Sequence, residues 1–100
     1  MITLFSKSKI FQMEMGFTRT EFIKLLDHQN KLSYKRDANR VCFSFLDKEV
    51  IVNLMEEGIR RIASAEIPML TVGFDCSGME KSEQEQFLKL FLRTFHKGGG

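Results

Sequence analysis

Cysteine is scarce in this chain, and its placement excludes most of the chemistry that thiols support. Cys42 and Cys76 are the only two cysteines among 100 residues. They form no CxxC pair and no cluster with histidine, so we expect neither a metal nor another cofactor. Two separated thiols are typical of a reducing compartment, and Lys7 and Lys9 interrupt the apolar core that a signal peptide would need. The sequence therefore predicts a cytoplasmic protein.

Long apolar runs and an excess of one charge are also missing. No stretch approaches the roughly 18 apolar residues of a membrane span, so we expect no membrane partner. Fifteen Lys and Arg stand against 13 Asp and Glu, and they are scattered along the chain. Nucleic-acid-binding proteins usually carry a larger and clustered basic footprint, so we expect no such partner. Glycine-rich phosphate loops and catalytic motifs are absent as well, which favours a protein that is not an enzyme.

Phenylalanine is abundant: ten of the 100 residues are Phe, enough aromatic volume for a core without metals or disulfides. The length fits one domain. Residues 1–15 show apolar positions without a clean period, and we interpret them as an extended or flexible arm, with Met13 or Met15 as alternative starts. Residues 16–97 are predicted to form a single α+β domain, and residues 98–100 a flexible glycine tail.

Two amphipathic helices are predicted, one at each end of the domain. Thr18 and Glu21 have the spacing of a capping box, and Phe17 and Phe22 that of a hydrophobic staple. Ser82 and Glu85 predict a second capping box before the last helix. That helix carries a broad apolar stripe, made by Phe87, Leu88, Phe91, Leu92 and Phe95.

Alternating apolar residues predict a hairpin and its register between the helices. If Asp47 and Lys48 form a two-residue loop, the cross-strand pairs all lie on one apolar face. These pairs are Phe45 with Val50, Phe43 with Val52, and Val41 with Leu54. A four-residue loop over residues 36–39 extends the sheet backwards, pairing Tyr34 with Val41 and Leu32 with Phe43.

Residues 56–67 leave two structures open. Glu56, Glu57 and Gly58 resemble a turn, and residues 59–67 then fit a strand, although Ile59 and Ile62 also stand at helical spacing. We prefer the strand. Pro68 should interrupt the ladder at an edge or a bulge, and alternation over residues 70–76 predicts a further strand.

These elements predict a two-layer α+β sandwich, with an antiparallel sheet of four to five strands and both helices packed on one face. Alternation then places on the opposite face a set of residues more apolar than a solvated surface requires. We therefore predict a non-catalytic interaction or accessory domain that binds a protein partner or associates with itself. The candidate interaction face consists of Cys42, Ser44, Ile51, Asn53, Met55 and Thr71.

An alternative function uses two reactive groups. A strand thiol at Cys42, or a free C-terminal carboxylate at Gly100, would suit a carrier in sulfur or redox chemistry. A structural cysteine and a frayed helix end explain the same residues more simply. The carrier is therefore kept as the second hypothesis.

Overall fold

The computed structural model describes residues 8–95 and contains five strands and two helices. The elements in chain order are β1 (Ile10–Met15), α1 (Arg19–His28), β2 (Ser33–Asp37), β3 (Arg40–Phe45), β4 (Lys48–Ile62), β5 (Ala65–Asp75) and α2 (Lys81–Thr94). The strands form one open antiparallel sheet in the order β1-β5-β4-β3-β2. The predicted α+β class and antiparallel sheet are confirmed. Over the described range, neither helix has the length and apolarity that a bilayer crossing requires.

Strand β1 lies in the segment 1–15 that the sequence analysis interprets as an extended or flexible arm, and residues 10–15 of it are an extended strand at the edge of the sheet. Phe11, Met13 and Met15 alternate toward the core, and the Phe11 ring stacks on Phe74 with centroids 4.9 Å apart. β1 pairs with β5 along its whole length. Ile10 is apolar as well and breaks the alternation in the sequence, so residues 1–15 show no clean period. Residues 1–7 and the predicted tail at 98–100 lie outside the described range.

Helix α1 begins as its capping signals predict. The Thr18 hydroxyl accepts the Glu21 amide at 3.0 Å, and the Glu21 carboxylate accepts the Thr18 amide at 2.9 Å. The predicted staple is also present, with the Phe17 and Phe22 rings in edge contact at 6.3 Å. Both devices satisfy or shield backbone groups that a helix start leaves exposed.

Helix α2 begins two residues earlier than the Ser82 capping box predicts. Glu80 is its N-cap, and the Glu83 carboxylate accepts the Glu80 amide at 2.9 Å. Lys48 holds the same carboxylate at 3.2 Å. The pKa of Glu83 is lowered by the Glu80 amide first and by Lys48 as well, because both favour the charged form. The wrong start follows from choosing serine as the cap when a tertiary partner, Lys48, fixes Glu83.

Both predicted hairpin registers are wrong by two residues. Phe43 lies opposite Val50 instead of Val52, and Val41 lies opposite Val52 instead of Leu54. The loop is therefore Leu46 and Asp47, not Asp47 and Lys48. The β2–β3 hairpin is displaced in the same way, with Tyr34 opposite Phe43 and Arg36 opposite Val41.

Loop geometry explains this displacement. Leu46 and Asp47 both have positive φ, 52° and 61°, as does Ala38 in the other loop at 54°. Two-residue loops with positive φ match the right-handed twist of paired strands, even when the residues are not Asn-Gly. A displacement of two preserves the face on which each side chain lies. The predicted core face therefore survives the wrong register.

The uncertain segment is a strand and not a helix, but its turn lies elsewhere. β4 continues through Glu57 and Gly58 with a bulge after Leu54, and the chain reverses at residues 63–64, where Ala63 has φ 54°. β5 continues through Pro68, so the two separately predicted strands are one. Pairing with β1 ends at Leu70. The prediction that Pro68 interrupts the ladder is therefore wrong, because Pro68 lies opposite Ile59 within the continuous β4–β5 pairing. Pro68 is tolerated there because β5 has no second neighbouring strand at this position among the described residues.

Relief of turn strain gives the first testable prediction. We expect Leu46→Asn to stabilise the protein by about 0.5–1 kcal/mol, because a left-handed conformation costs most L-residues about 1–2 kcal/mol and Asn tolerates it. Leu46 is 51% exposed, so little packing is lost. Urea denaturation measures the change. Leu46→Ala is the matched control, since it removes the same side chain without relieving φ, and equal stability of the two variants would contradict the explanation.

Candidate functional site

The candidate face is the side of the sheet opposite Phe43, Val52 and Phe74, and we call it the open face. The registers place Cys42 opposite Ile51, and Asn53 opposite Gly73. Met55 lies at the bulge with its sulfur 3.1 Å from where a Gly73 Cβ would stand, so glycine leaves the room that this side chain occupies. The predicted residues Cys42, Ser44, Ile51, Asn53, Met55 and Thr71 are all half-buried or exposed.

Strand β1 enlarges the open face with residues that the sequence prediction missed. Ile10 lies opposite Asp75, Gln12 opposite Gly73, and Glu14 opposite Thr71. Ile10 is 64% exposed, which is the largest exposed fraction of any large apolar side chain within residues 8–95. The alternation of Ile10, Gln12 and Glu14 with inward apolar residues was the only signal available, and the neighbouring lysines obscured it.

Charged side chains of both signs surround the apolar positions. Arg60 and Glu14 form an ion pair at 2.8 Å between β4 and β1. Arg40 and Lys35 lie near the Cys42 thiol, where their positive charges oppose the effect of Glu49. Because the Arg60–Glu14 pair is exposed, it contributes little to stability. These charged side chains do give the open face a mixed charge pattern around Ile51 and Met55.

The surroundings of the Cys42 thiol do not, on balance, activate it as a nucleophile. Its pKa is raised, first by loss of solvation and then by the negative charge of Glu49. A reactive cysteine needs the opposite shift, because the thiolate is the attacking species. His28, the one histidine in the described range, bonds through Nδ1 to the Lys24 carbonyl of its own helix at 2.7 Å. Within residues 8–95, the carboxylate beside the Cys42 thiol is that of Glu49, and both its charge and its hydrogen bond to the thiol raise the pKa of Cys42.

The second thiol lies on the core side of the sheet, as its alternation predicts. Cys76 has no exposed surface, and burial raises its pKa to about 11. The adjacent Asp75 carboxylate contributes in the same direction. Asp75 itself accepts hydrogen bonds from the Ser77 hydroxyl and amide, which lower its pKa. Asp75 is the last residue of β5, and its carboxylate binds the chain that follows the strand.

A hollow of about 430 Å³ lies beside the bulge of β4. Glu14, Glu56, Glu57 and Arg60 contribute its charged lining, and Met69 part of its apolar lining. Across residues 8–95, no group of three or more His, Cys, Asp or Glu side chains is arranged to hold a metal ion. Glu57 is moreover engaged by the Arg19 amide at 2.8 Å, which fixes the start of α1 against the bulge.

Comparisons with known proteins give no functional information. No protein-family model matches the chain, and neither curated proteins nor solved structures yield a significant match. The function must therefore be argued from the open face itself.

Proposed function

We propose that this chain is a non-catalytic protein-interaction or accessory domain, and that its open face binds another protein chain. A second copy of the chain is one partner that this face would accept. We further infer that both helices cover the opposite side of the sheet. In support, the ring of Phe91 in α2 packs against Phe43 and Phe74 of the sheet, with ring centroids 5.9 and 5.1 Å apart. The ring of Phe22 in α1 packs against the same ring, with centroids 6.1 Å apart.

The observation that carries this proposal is a group of accessible apolar side chains among charged neighbours. Met55 is 37% exposed, Ile10 is 64% exposed, and Ile51 is half-buried between Cys42 and Asp75 on neighbouring strands. Antiparallel sheets often have one solvated face, but its residues are then mostly polar. Contiguous apolar surface with a polar rim is typical of a protein-binding site.

The carrier hypothesis draws less support. The raised pKa values of both thiols disfavour thiolate chemistry at neutral pH. Gly100, the other candidate group, lies outside the described range. Two free cysteines remain in keeping with the cytoplasmic location that the sequence predicts.

Ile51→Lys tests the proposal directly. We expect it to weaken association by tenfold or more, because a lysine ammonium would lose solvation inside an apolar contact. Sedimentation velocity over a concentration series measures self-association, and affinity capture followed by mass spectrometry reports other partners. Circular dichroism verifies that the sheet is retained.

Gln86→Lys is the matched control, since it adds the same charge at an exposed position of α2. The proposal predicts that only the open-face variant changes the partners or the mass. Identical association of both variants with the parent protein would refute it.

A further inference from the structure

Strand β1 ends the sheet on one side, so one row of its backbone groups faces away from β5. The Lys9 carbonyl accepts the Cys76 amide at 2.7 Å, which shows that the backbone of residue 9 faces β5. Backbone direction alternates along a strand in an antiparallel pair. The N–H and C=O groups of Ile10, Gln12 and Glu14 therefore point outward.

The Ser8 side chain binds the first of these outward-facing residues, Ile10. Its hydroxyl oxygen donates to the Ile10 carbonyl at 2.6 Å and accepts the Ile10 amide at 3.3 Å. A side chain thus replaces a neighbouring strand at Ile10. No strand of the described range pairs with the remaining outward groups, which belong to Gln12 and Glu14.

The two edges of the sheet differ in how they discourage pairing. β2, the opposite edge, carries Lys35, Arg36 and Asp37 in an exposed row. Charged residues of this kind are a common protection against edge-to-edge association. β1 instead presents half-buried Phe11 and Met13 at its edge, and its only acidic side chain there, Glu14, is paired with Arg60. The β1 edge therefore lacks the protection that β2 has.

We propose that β1 pairs antiparallel with β1 of a second copy, about a two-fold axis at Met13. This register places Gln12 opposite Glu14 of the second copy, and each such pair exchanges two backbone hydrogen bonds. It uses the outward-facing N–H and C=O groups of Gln12 and Glu14, which Ser8 does not bind. A register centred on Gln12 would instead need the Ile10 groups, which Ser8 holds.

Side chains fit this register on both faces. Opposed residues of an antiparallel pair lie on the same face, so Met13 meets Met13 and Phe11 meets Met15 of the second copy on the core side. On the other side, the Gln12 amide lies beside the Glu14 carboxylate. The two sheets become one continuous sheet of ten strands, and two open faces become contiguous. This pairing uses the edge of the sheet and does not depend on the proposed function of the open face.

Gln12→Pro tests the pairing, because proline removes the outward N–H that the second copy needs while leaving the bonds to β5. Proline is tolerated in a strand when its missing N–H faces away from the ladder. We expect dimerisation to weaken at least tenfold in sedimentation velocity. Gln12→Thr, which changes the side chain but retains the N–H, should dimerise as the parent does. A parent protein that stays monomeric at every concentration overturns the proposal.

A cysteine at the two-fold axis gives an independent measurement. In a non-hydrogen-bonded antiparallel pair the Cα atoms are about 4.5 Å apart, within the range that a disulfide spans. In a Cys42→Ser background, Met13→Cys should form a dimeric disulfide on mild oxidation, and Gln12→Cys should do so at least tenfold more slowly. Equal rates would refute the register. Dimerisation that appears only after deletion of residues 1–7 would also overturn the proposal, because that segment would then be the occupant of the edge.

The open-face variant separates this inference from the proposed function. Ile51→Lys should leave the Met13→Cys disulfide intact, because Ile51 lies on β4 and not on the edge strand. Loss of a partner in Ile51→Lys without loss of the disulfide supports both sites. Loss of the disulfide in that variant contradicts edge pairing.

Discussion

Phe91→Ala should destabilise the protein by about 3–5 kcal/mol, the range typical of removing a buried aromatic ring. Phe91 has no exposed surface and joins the layers of the fold. Its ring centroid lies 5.1 Å from that of Phe74 in an edge contact, 5.9 Å from that of Phe43, and 6.1 Å from that of Phe22 in α1. Because these neighbours belong to different elements, they have little freedom to collapse together into the space that the ring leaves.

Chemical denaturation followed by circular dichroism measures this loss. A domain of this size typically has a stability of about 5–15 kcal/mol, so the variant should unfold at a much lower denaturant concentration or fail to fold. Leu92→Ala is the matched control, because the adjacent side chain is only half-buried and should cost clearly less. Similar losses in the two variants would contradict the central role of Phe91.

The parts of the fold that could be predicted depend on local rules. The Thr18 and Glu21 box acts within four residues, so its sequence spacing is enough to locate the start of α1. Face assignment in the hairpins also survived, since it depends on a period of two and not on the exact partner of each residue. Val41, Phe43 and Val52 are consequently buried as expected.

The parts that could not be predicted depend on tertiary context. Leu46 is a poor residue for a turn by local preference, yet its exposed side chain and positive φ allow the tight loop that sets the register. The bulge after Leu54 lets β4 continue past Gly58, where the sequence suggested a turn. Long-range pairing outweighed local propensity at both places.

Local alternation predicted part of the candidate site, and the rest of the site depends on long-range pairing. Cys42, Ile51 and Asn53 follow from alternation within β3 and β4, and the slip of two residues leaves them on the same face. Ile10 and Gln12 join them because β1 pairs with β5, a contact between segments about sixty residues apart in the chain. No local pattern specifies that pairing.

The pH dependence of stability should report the burial of Cys76. Its pKa is raised from 9.0 to about 11, mainly by burial and also by the charge of Asp75, whereas the positive charge of Lys9 opposes the shift. In the unfolded chain the thiol loses its proton near pH 9, while in the folded protein it keeps that proton until about pH 11. The stabilisation is therefore fully present below pH 9 and is lost as pH rises from 9 to 11.

A shift of this size corresponds to about 2–3 kcal/mol lost over that interval, since one pKa unit is about 1.4 kcal/mol. Other groups titrate in the same range, among them Tyr34, whose pKa is raised mainly by its hydrogen bond to Asp27. Urea denaturation of the parent protein and of Cys76→Ala, at closely spaced pH values from 8 to 11, separates their effects because the variant retains every group but one. We expect the parent to lose about 2–3 kcal/mol more than the variant as the pH rises. Parallel stability curves would show that ionisation of Cys76 is not coupled to unfolding, and the thiol would then have to be accessible enough in the folded state to lose its proton as readily as in the unfolded chain.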